Sequence, residues 1–377
     1  MVADTTSSID VVAGRMKRVL VVHQHRSPGS YQDRSRGAIY EPSFRAAGFE
    51  VRFVGRHPYP FVPRTRLGTA LGRSLAVKAV ERLRDRAFTP ISDARIRNMA
   101  RHFDAIILIK VDSPNLVRSL RRTGARLVYD LCDQVWKDGR GKIRQDVLAM
   151  FGSVDAITVN SGSALEFAQQ FGPPVHMWPE AAYIEAFDAL RHKSPRDRDG
   201  TVVIGWIGSP STVPNLWLVL EALEEVGRRH PEVRLRLVGV PPNHDILRRF
   251  EDIRVSSRSS YDQESMVDEV LGMDIGLYPM FDIEESRVHG LGKALIYMAG
   301  GAVVVGSPVR DRKHLIEQGE TGFLADGRKE WTETLHRLVT DAKLRARVRD
   351  AALKQVRATN SLERSFEALR PLLAGSP

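Results

Sequence analysis

Two stretches in the second half of the chain gather residue types suited to holding a phosphorylated ligand. The longer one runs from Asp274–Pro279 (DIGLYP) through Asp282, Glu284, Glu285, Arg287, His289 and Gly290 to Lys293. It reads as a strand end, a loop rich in charge and glycine, and a short helix. A turn at Gly290, Leu291, Gly292 and Lys293 that opens a helix offers free backbone N–H groups and one cation to a diphosphate. Carboxylates just before it accept hydrogen bonds from ribose or sugar hydroxyls. The shorter stretch, Gly205-Trp206-Ile207-Gly208-Ser209-Pro210, ends a strand and begins a helix, where glycine lets the backbone approach a ligand. Taken alone, such a turn is ordinary punctuation between strand and helix.

In the first half, the candidate groups follow strand ends. His23, His25 and Arg26 come after the first strand, Asp130 and Asp133 after a later one, and Glu180 after Trp178-Pro179. A carboxylate so placed orients a substrate hydroxyl or takes its proton, a contribution of ~10²–10⁴-fold. Each has a structural alternative. Asp133 also reads as a helix N-cap, His23 as a hydrogen-bonded histidine of the core or cleft wall, and Glu180 as a turn residue. Tyr297 and Met298 read as helix packing residues.

The elements that must position these groups are short and apolar. Arg18–His23, Phe49–Val54, Asp104–Ile109, Arg126–Asp130 and Ala156–Asn160 are predicted strands, with a helix ending at Ala47 and stopped by Gly48. Strand, glycine turn, helix and strand at this spacing is a βαβ unit, hence a parallel sheet buried on both faces. The polar stretch Arg191–Gly200 reads as a linker. After it the pattern restarts with Thr201–Ile207, a helix over Val213–Arg229, Val233–Val238, Asp274–Leu277, a helix near Lys293–Ala299, and Ala302–Val305. Trp331–Arg357 and Ser361–Leu373 read as helical. The division expected is a loose tail over 1–15, a first domain over 16–190, a linker over 191–200, a second domain over 201–358 and a closing helix over 359–377.

Length and charge agree with two domains. The chain has 377 residues, 42% hydrophobic and 27% charged, too many for one ordinary domain of ~150 residues. The net charge of +10 is uneven: Arg15–Arg126 hold 24 Lys/Arg against 8 Asp/Glu. Such a field attracts phosphate-bearing substrates or anionic lipid; the plain alternative is an Arg-rich solvated surface. Pro63–Ala87, with Leu67, Leu71 and Leu75 among arginines, reads as a basic amphipathic helix that lies on a membrane or packs on its own sheet. A nucleic-acid partner is not expected, since no recognition motif and no interleaved aromatics are present. One cysteine, Cys132, excludes a disulfide framework and a cysteine zinc site. No signal layout and no apolar run of spanning length are visible, so a cytoplasmic location is expected, with peripheral contact at the inner membrane face as the finer reading.

At this point the chain resembles the retaining GT-B glycosyltransferases of the group 1 type. The resemblance is carried by Ile204–Pro210 (IGWIGSP), Asp274–Pro279, Lys293–Val305 (KALIYMAGGAVVV) with Gly306–Val309, and Glu320–Leu324 (ETGFL), in order over about 120 residues. Val128–Asp133 and Thr158–Ser161 add a thinner likeness in the first half. It implies α/β architecture with two Rossmann-like, doubly wound parallel-sheet domains facing a cleft. A sugar nucleotide, UDP being the family's commonest choice, would sit on the second domain and the acceptor on the first, with a final helix crossing back. Reading the residues beside that resemblance, donor binding is expected from Gly208, Ser209, Pro210, Glu285, Arg287, His289, Gly290, Leu291, Gly292 and Lys293, with Arg287, His289 and Lys293 in place of the family's basic pair. Chemistry falls to His23, Asp130, Asp133 and Glu284, and His25, Arg26 and Glu180 belong to the acceptor side. The acceptor is not identified by the sequence, a small natural product or a lipid-linked glycan being the classes expected. No cofactor is expected, and no metal, because no Asp-x-Asp pair stands between strands. Two departures are visible. Ile296 stands where the family's second motif glutamate falls, and Ser209, Thr212 and Asn215 replace the basic pair after the glycine turn. The alternative function is a nucleotide-sugar-binding partner with little transferase activity.

Overall fold

The computed structural model describes residues 16–25, 36–57, 75–132, 134–137, 141–193, 200–250, 253–283, 286, 290–309 and 312–374; for His25, 75–86 and Lys193 it describes the backbone alone. Among the described residues twelve strands form two wholly parallel, six-stranded sheets. The first contains β1 (Lys17–His25), β2 (Phe49–His57), β3 (Ala105–Ile109), β4 (Arg126–Leu131), β5 (Ala156–Val159) and β6 (Val175–Met177). Its spatial order is β2-β1-β3-β4-β5-β6. The second contains β7 (Val202–Ile207), β8 (Val233–Val238), β9 (Arg254–Arg258), β10 (Ile275–Tyr278), β11 (Val303–Gly306) and β12 (Phe323–Leu324), in the order β12-β11-β10-β7-β8-β9.

Alternation along each strand divides its side chains between two faces. In the first sheet Leu20, Val22, Ile106 and Leu108 go to one core, and Val19, Val21, Ala105 and Ile107 to the other. The second sheet separates Ile204 and Trp206 from Val203 and Ile207 in the same way. An aspartate recurs just before a strand and braces its neighbour's start. Asp104 accepts from the Arg18 N–H at 2.7 Å, Asp155 from Leu127 at 2.8 Å and Asp274 from Val203 at 2.8 Å. These three carboxylates lie at the amino edges, away from the ends where ligands bind in such sheets.

The ends of both sheets exceed the reading from sequence. β6, β9 and β12 are additional; β6 and β9 are short or polar edge strands with exposed positions, and carry no buried apolar run to announce them. The predicted helix over Val213–Arg229 is instead a 3-10 segment, Pro210–Leu218, followed by an α-helix, Leu220–Arg229. Pro214 explains the change, since it cannot donate an N–H inside an α-helix. The Pro63–Ala87 helix falls largely outside the described residues; a helix runs over Leu75–Ala100, continuing through Pro90.

Two connections tie the domains together. Tyr183, Ile184 and Phe187, on or beside the helix Ile184–Leu190, pack into a core cluster of the second domain. The last helix, Leu362–Ala374, buries Phe366, Leu369 and Leu373 against β1 and β3 of the first. Among the described residues no helix is long and apolar enough to cross a membrane.

Candidate functional site

In each sheet, chain order reverses between two neighbouring strands, and crevices form at the carboxyl ends there. In the second sheet that point lies between β7 and β10. Tyr297, from the helix Gly292–Gly300, braces it: its hydroxyl accepts from the Ile207 N–H at 2.9 Å and donates to the Leu277 carbonyl at 3.1 Å. Its ring presses on Gly276, where an added Cβ would come within 2.4 Å of it. Burial raises the Tyr297 pKa, so the hydroxyl keeps its proton.

Beside this brace stands a cationic site. Lys293 Nζ lies 5.0 Å from the Trp206 ring centroid and 5.9 Å from that of Tyr278, and donates to Thr212 Oγ1 at 3.3 Å. The Arg312 guanidinium lies 4.2 Å from the centroid of the same Tyr278 ring and is itself buried. Loops after β10 and β11 are sewn together under it: Ser307 donates its N–H to the Tyr278 carbonyl at 3.2 Å, and its Oγ accepts from Met280 at 3.0 Å. Among the described residues neither cation has a carboxylate within ion-pair distance. Burial, helped by the Arg312 charge, lowers the Lys293 pKa to about 8. Two cations with no counter-charge among the described residues, at a switch point, are suited to a phosphate-bearing ligand.

The glycine turn does something different from what the sequence suggests. Gly208 donates its N–H to the Val238 carbonyl at 2.9 Å, and Ser209 donates to Thr212 Oγ1 at 3.1 Å, closing a capping box. Both N–H groups expected to face a diphosphate are thus spent inside the protein. Gly208 is glycine for packing: an added Cβ would lie 2.4 Å from the Trp206 ring. Gly239, at φ +93, approaches the Gly208 carbonyl so closely that no side chain fits.

At the carboxyl edge of the first sheet lies a second buried polar group. Asp130, at the end of β4, is 0% exposed; Thr158 donates to its Oδ1 at 2.9 Å, and Arg36 Nε stands 3.6 Å from its Oδ2. Arg36 is 3% exposed and its guanidinium lies 4.4 Å from the Trp178 ring centroid. None of its three nitrogens makes a hydrogen bond to a described residue, and neither do Asp130 Oδ2, Asn160 Oδ1, Trp178 Nε1 or Glu180 Oε2. Burial works against the guanidinium's charge, but Asp130, Tyr40, Glu180 and Cys132 outweigh it and raise its pKa. The Cys132 thiol is pushed well up, by burial first and by Asp130 second. A buried polar group left without a hydrogen bond costs ~1–3 kcal/mol, so this concentration at one sheet edge needs an explanation.

The two sites share a seam. Asn160 donates to Glu180 Oε1 at 3.1 Å, and an added Cβ on Gly290 would lie 2.4 Å from each of these atoms. Gly290 is therefore a point of close approach between domains, and its carbonyl accepts from the Tyr278 hydroxyl at 3.0 Å. The chain's end fixes the opposite wall. Asn360 donates to the Glu180 carbonyl at 2.9 Å and its own carbonyl accepts from Ala182 at 2.8 Å; Ser365 Oγ donates to the Pro179 carbonyl at 2.5 Å.

Of the residues singled out from sequence, the structure brings Asp130 and Glu180 into one cluster and Lys293 against the Trp206–Tyr278 wall. Gly290, Leu291 and Gly292 lead into the Lys293 helix, while Pro210 opens the 3-10 segment. His23 is buried on β1 between Gly55 and Ile109, and His25 ends that strand. Ile296 is buried in the core of the second domain. Arg26, Asp133, Glu284, Glu285, Arg287 and His289 lie outside the described residues. Arg36, Asn160, Trp178 and Arg312 were missed. Arg36 is one arginine in a strongly basic half, and no local spacing marks it.

Residues 201–341 match the model of the family described as glycosyl transferases group 1. The structure is similar to that of HepE from Anabaena in complex with UDP and glucose, at TM-score 0.60 and 13% identity, covering 95% of this chain and 99% of that one. It is similar to sucrose-phosphate synthase from Thermosynechococcus elongatus at TM-score 0.65 and 16% identity, covering 96% and 100%. A glycosyltransferase from Rickettsia africae matches at TM-score 0.64 and 12% identity, covering 96% and 100%. No curated protein sequence matches the chain. These structural likenesses establish the GT-B fold.

Proposed function

We propose that this chain, a GT-B glycosyltransferase whose residues 201–341 form a group 1 domain, moves a sugar from a nucleoside diphosphate, UDP favoured, to a hydroxyl held on its first domain. The observation that carries this reading is the Lys293–Tyr278–Arg312 arrangement at the switch point of the second sheet. When a glycosyl bond to diphosphate breaks, negative charge grows on the leaving group. Cations fixed in a desolvated wall stabilise that charge without reorganising. Lys293 and Arg312 thus supply the positive charge, and transfer is expected without a divalent metal. The diphosphate assignment moves from the Gly208 and Ser209 N–H groups to these two side chains and the first turn at Gly292–Lys293, where helix N–H groups lack intrahelical partners.

On the acceptor side, Glu180 is the carboxylate best placed to orient a hydroxyl or take its proton. Asn160 holds one of its oxygens and leaves the other available. Asp130, tied to Thr158 and facing Arg36, is a positioning group. Retention at the anomeric carbon follows from the family resemblance and is read by NMR of the product's anomeric configuration.

A thermal-shift screen with UDP, GDP, ADP and dTDP tests the donor. A ligand at ~100 times its Kd stabilises by ~2.7 kcal/mol, so the preferred nucleotide should raise Tm clearly, with or without EDTA. Lack of response to any nucleotide, or a response abolished by EDTA, overturns the reading.

A further inference from the structure

We propose that Arg36, Asp130, Asn160, Trp178 and Glu180 form a subsite for a neutral polyhydroxyl ligand, a glycoside or cyclic polyol, anchored on the Arg36 guanidinium. This subsite rests on the acceptor-side reading above and gives that acceptor a chemical class.

A second buried arginine shows what a purely structural one looks like in the same domain. Arg56, 7% exposed, forms two bonds to Asp93 at 2.7 and 3.0 Å and a third to Ser113 Oγ at 2.9 Å. Its charge and its geometry are both answered by protein. Arg36 is more deeply buried, yet no described residue accepts from it, and among the described residues its one ion-pair partner stands at 3.6 Å. The fork of a guanidinium is a rigid set of donors, and placing one in a protein interior without acceptors leaves them all unanswered.

The atoms around Arg36 with no partner among the described residues are of both kinds. The guanidinium and the Trp178 indole N–H donate; Asp130 Oδ2, Glu180 Oε2 and Asn160 Oδ1 accept. A phosphate or carboxylate ligand brings negative charge and mostly acceptors and would meet two carboxylates. An alkyl chain would satisfy nothing. A hydroxyl donates and accepts through one atom, and neighbouring hydroxyls of a sugar ring present pairs that a guanidinium and a carboxylate can each engage. Location supports the same ligand. Glu180 Oε1 and Asn160 Nδ2 pack directly on Gly290 at the domain seam, so a ligand held by Arg36, Asp130 and the free Glu180 oxygen would lie on the first-domain side of that contact.

The test titrates the full-length protein with methyl α-D-glucopyranoside, myo-inositol and inorganic phosphate, each with and without saturating UDP. Tm and tryptophan emission are followed. At least one polyol should raise Tm and shift the emission at millimolar concentration, whereas phosphate should add nothing once UDP is bound. Arg36→Lys keeps the charge and loses the fork, and should weaken the polyol response about tenfold or more. Trp178→Phe keeps an aromatic ring and loses the indole N–H, and should weaken it about threefold. Both should retain the UDP shift. Absence of any polyol response in the wild type overturns the subsite. So does an undiminished response in Arg36→Lys, or phosphate binding that persists with UDP and depends on Arg36. If Arg36→Lys does not fold, Trp178→Phe decides: an unchanged polyol response overturns the subsite. The UDP arm reads the donor assignment by itself, so its failure is distinguishable from failure of the polyol arm.

Discussion

The carboxyl edges of the two sheets are built from the same kinds of residue and arrive at opposite electrostatics. In the second domain, Lys293 and Arg312 flank Tyr278 with no carboxylate near among the described residues. In the first, Arg36 faces Asp130 and Glu180, and unsatisfied donors and acceptors stand side by side. An unbalanced cationic wall selects an anion. A balanced, hydrogen-bond-hungry floor selects hydroxyls. On the function proposed above, that difference would place the diphosphate on the second domain and the acceptor on the first.

The sharpest way to break this comparison is Glu180→Gln. Loss of the acceptor-side carboxylate should lower UDP release from UDP-sugars in the presence of soluble glycosides by ~10²–10⁴-fold, with UDP affinity unchanged. Equal turnover would remove Glu180 from the chemistry. Next in size is Lys293→Ala, which should weaken UDP binding about ten- to a hundredfold, the range of a charge-assisted hydrogen bond, measured by calorimetry. Unaltered affinity would detach the diphosphate from this wall.

A smaller effect distinguishes the same wall by pH. On the proposed assignment Lys293 would bind the diphosphate in its protonated form, and its pKa is lowered to about 8. Affinity for UDP should therefore be full below that pH and decline as pH rises through it, by at most about tenfold per unit. A bound diphosphate favours the charged form and moves the midpoint upward. Lys293→Arg, always protonated, should flatten the profile; a profile that persists in that variant would assign it to another group. The smallest effect on ligands belongs to Arg56→Lys. Here the bidentate bond to Asp93 is lost, and stability should fall by ~1–3 kcal/mol in urea unfolding while nucleotide and polyol binding stay intact. Loss of ligand binding in a stable Arg56→Lys protein would erase the distinction between the two buried arginines.

Much of the fold was legible because burial on both faces leaves a local signature. AIILI over β3 and VVIGWI over β7 are short apolar runs between turn residues, and they could hardly be anything but interior strands of parallel sheets. Edge strands such as RVSSR over β9 are polar on both sides and left no such trace. Within the sites, Lys293 was legible from its place at a helix start after a glycine turn. Gly208 was identified as important for a reason the structure replaces: its N–H is in the sheet ladder, and its missing side chain makes room for Trp206.

The sequence by itself determined the two repeating strand–helix patterns, because periodicity and turn chemistry act over a few residues. Tertiary structure alone decided which cations would be answered. Arg36 and Asp130 are 94 positions apart and meet because β1 and β4 end at one edge of one sheet. Arg312 reaches Tyr278 across the loops after β10 and β11. Whether a buried charge is paired depends on every element packed around it, and no window of sequence contains that information. Among the described residues, Arg312 stands with Lys293 about the Tyr278 ring, and Arg36 lies in the cluster that holds Glu180.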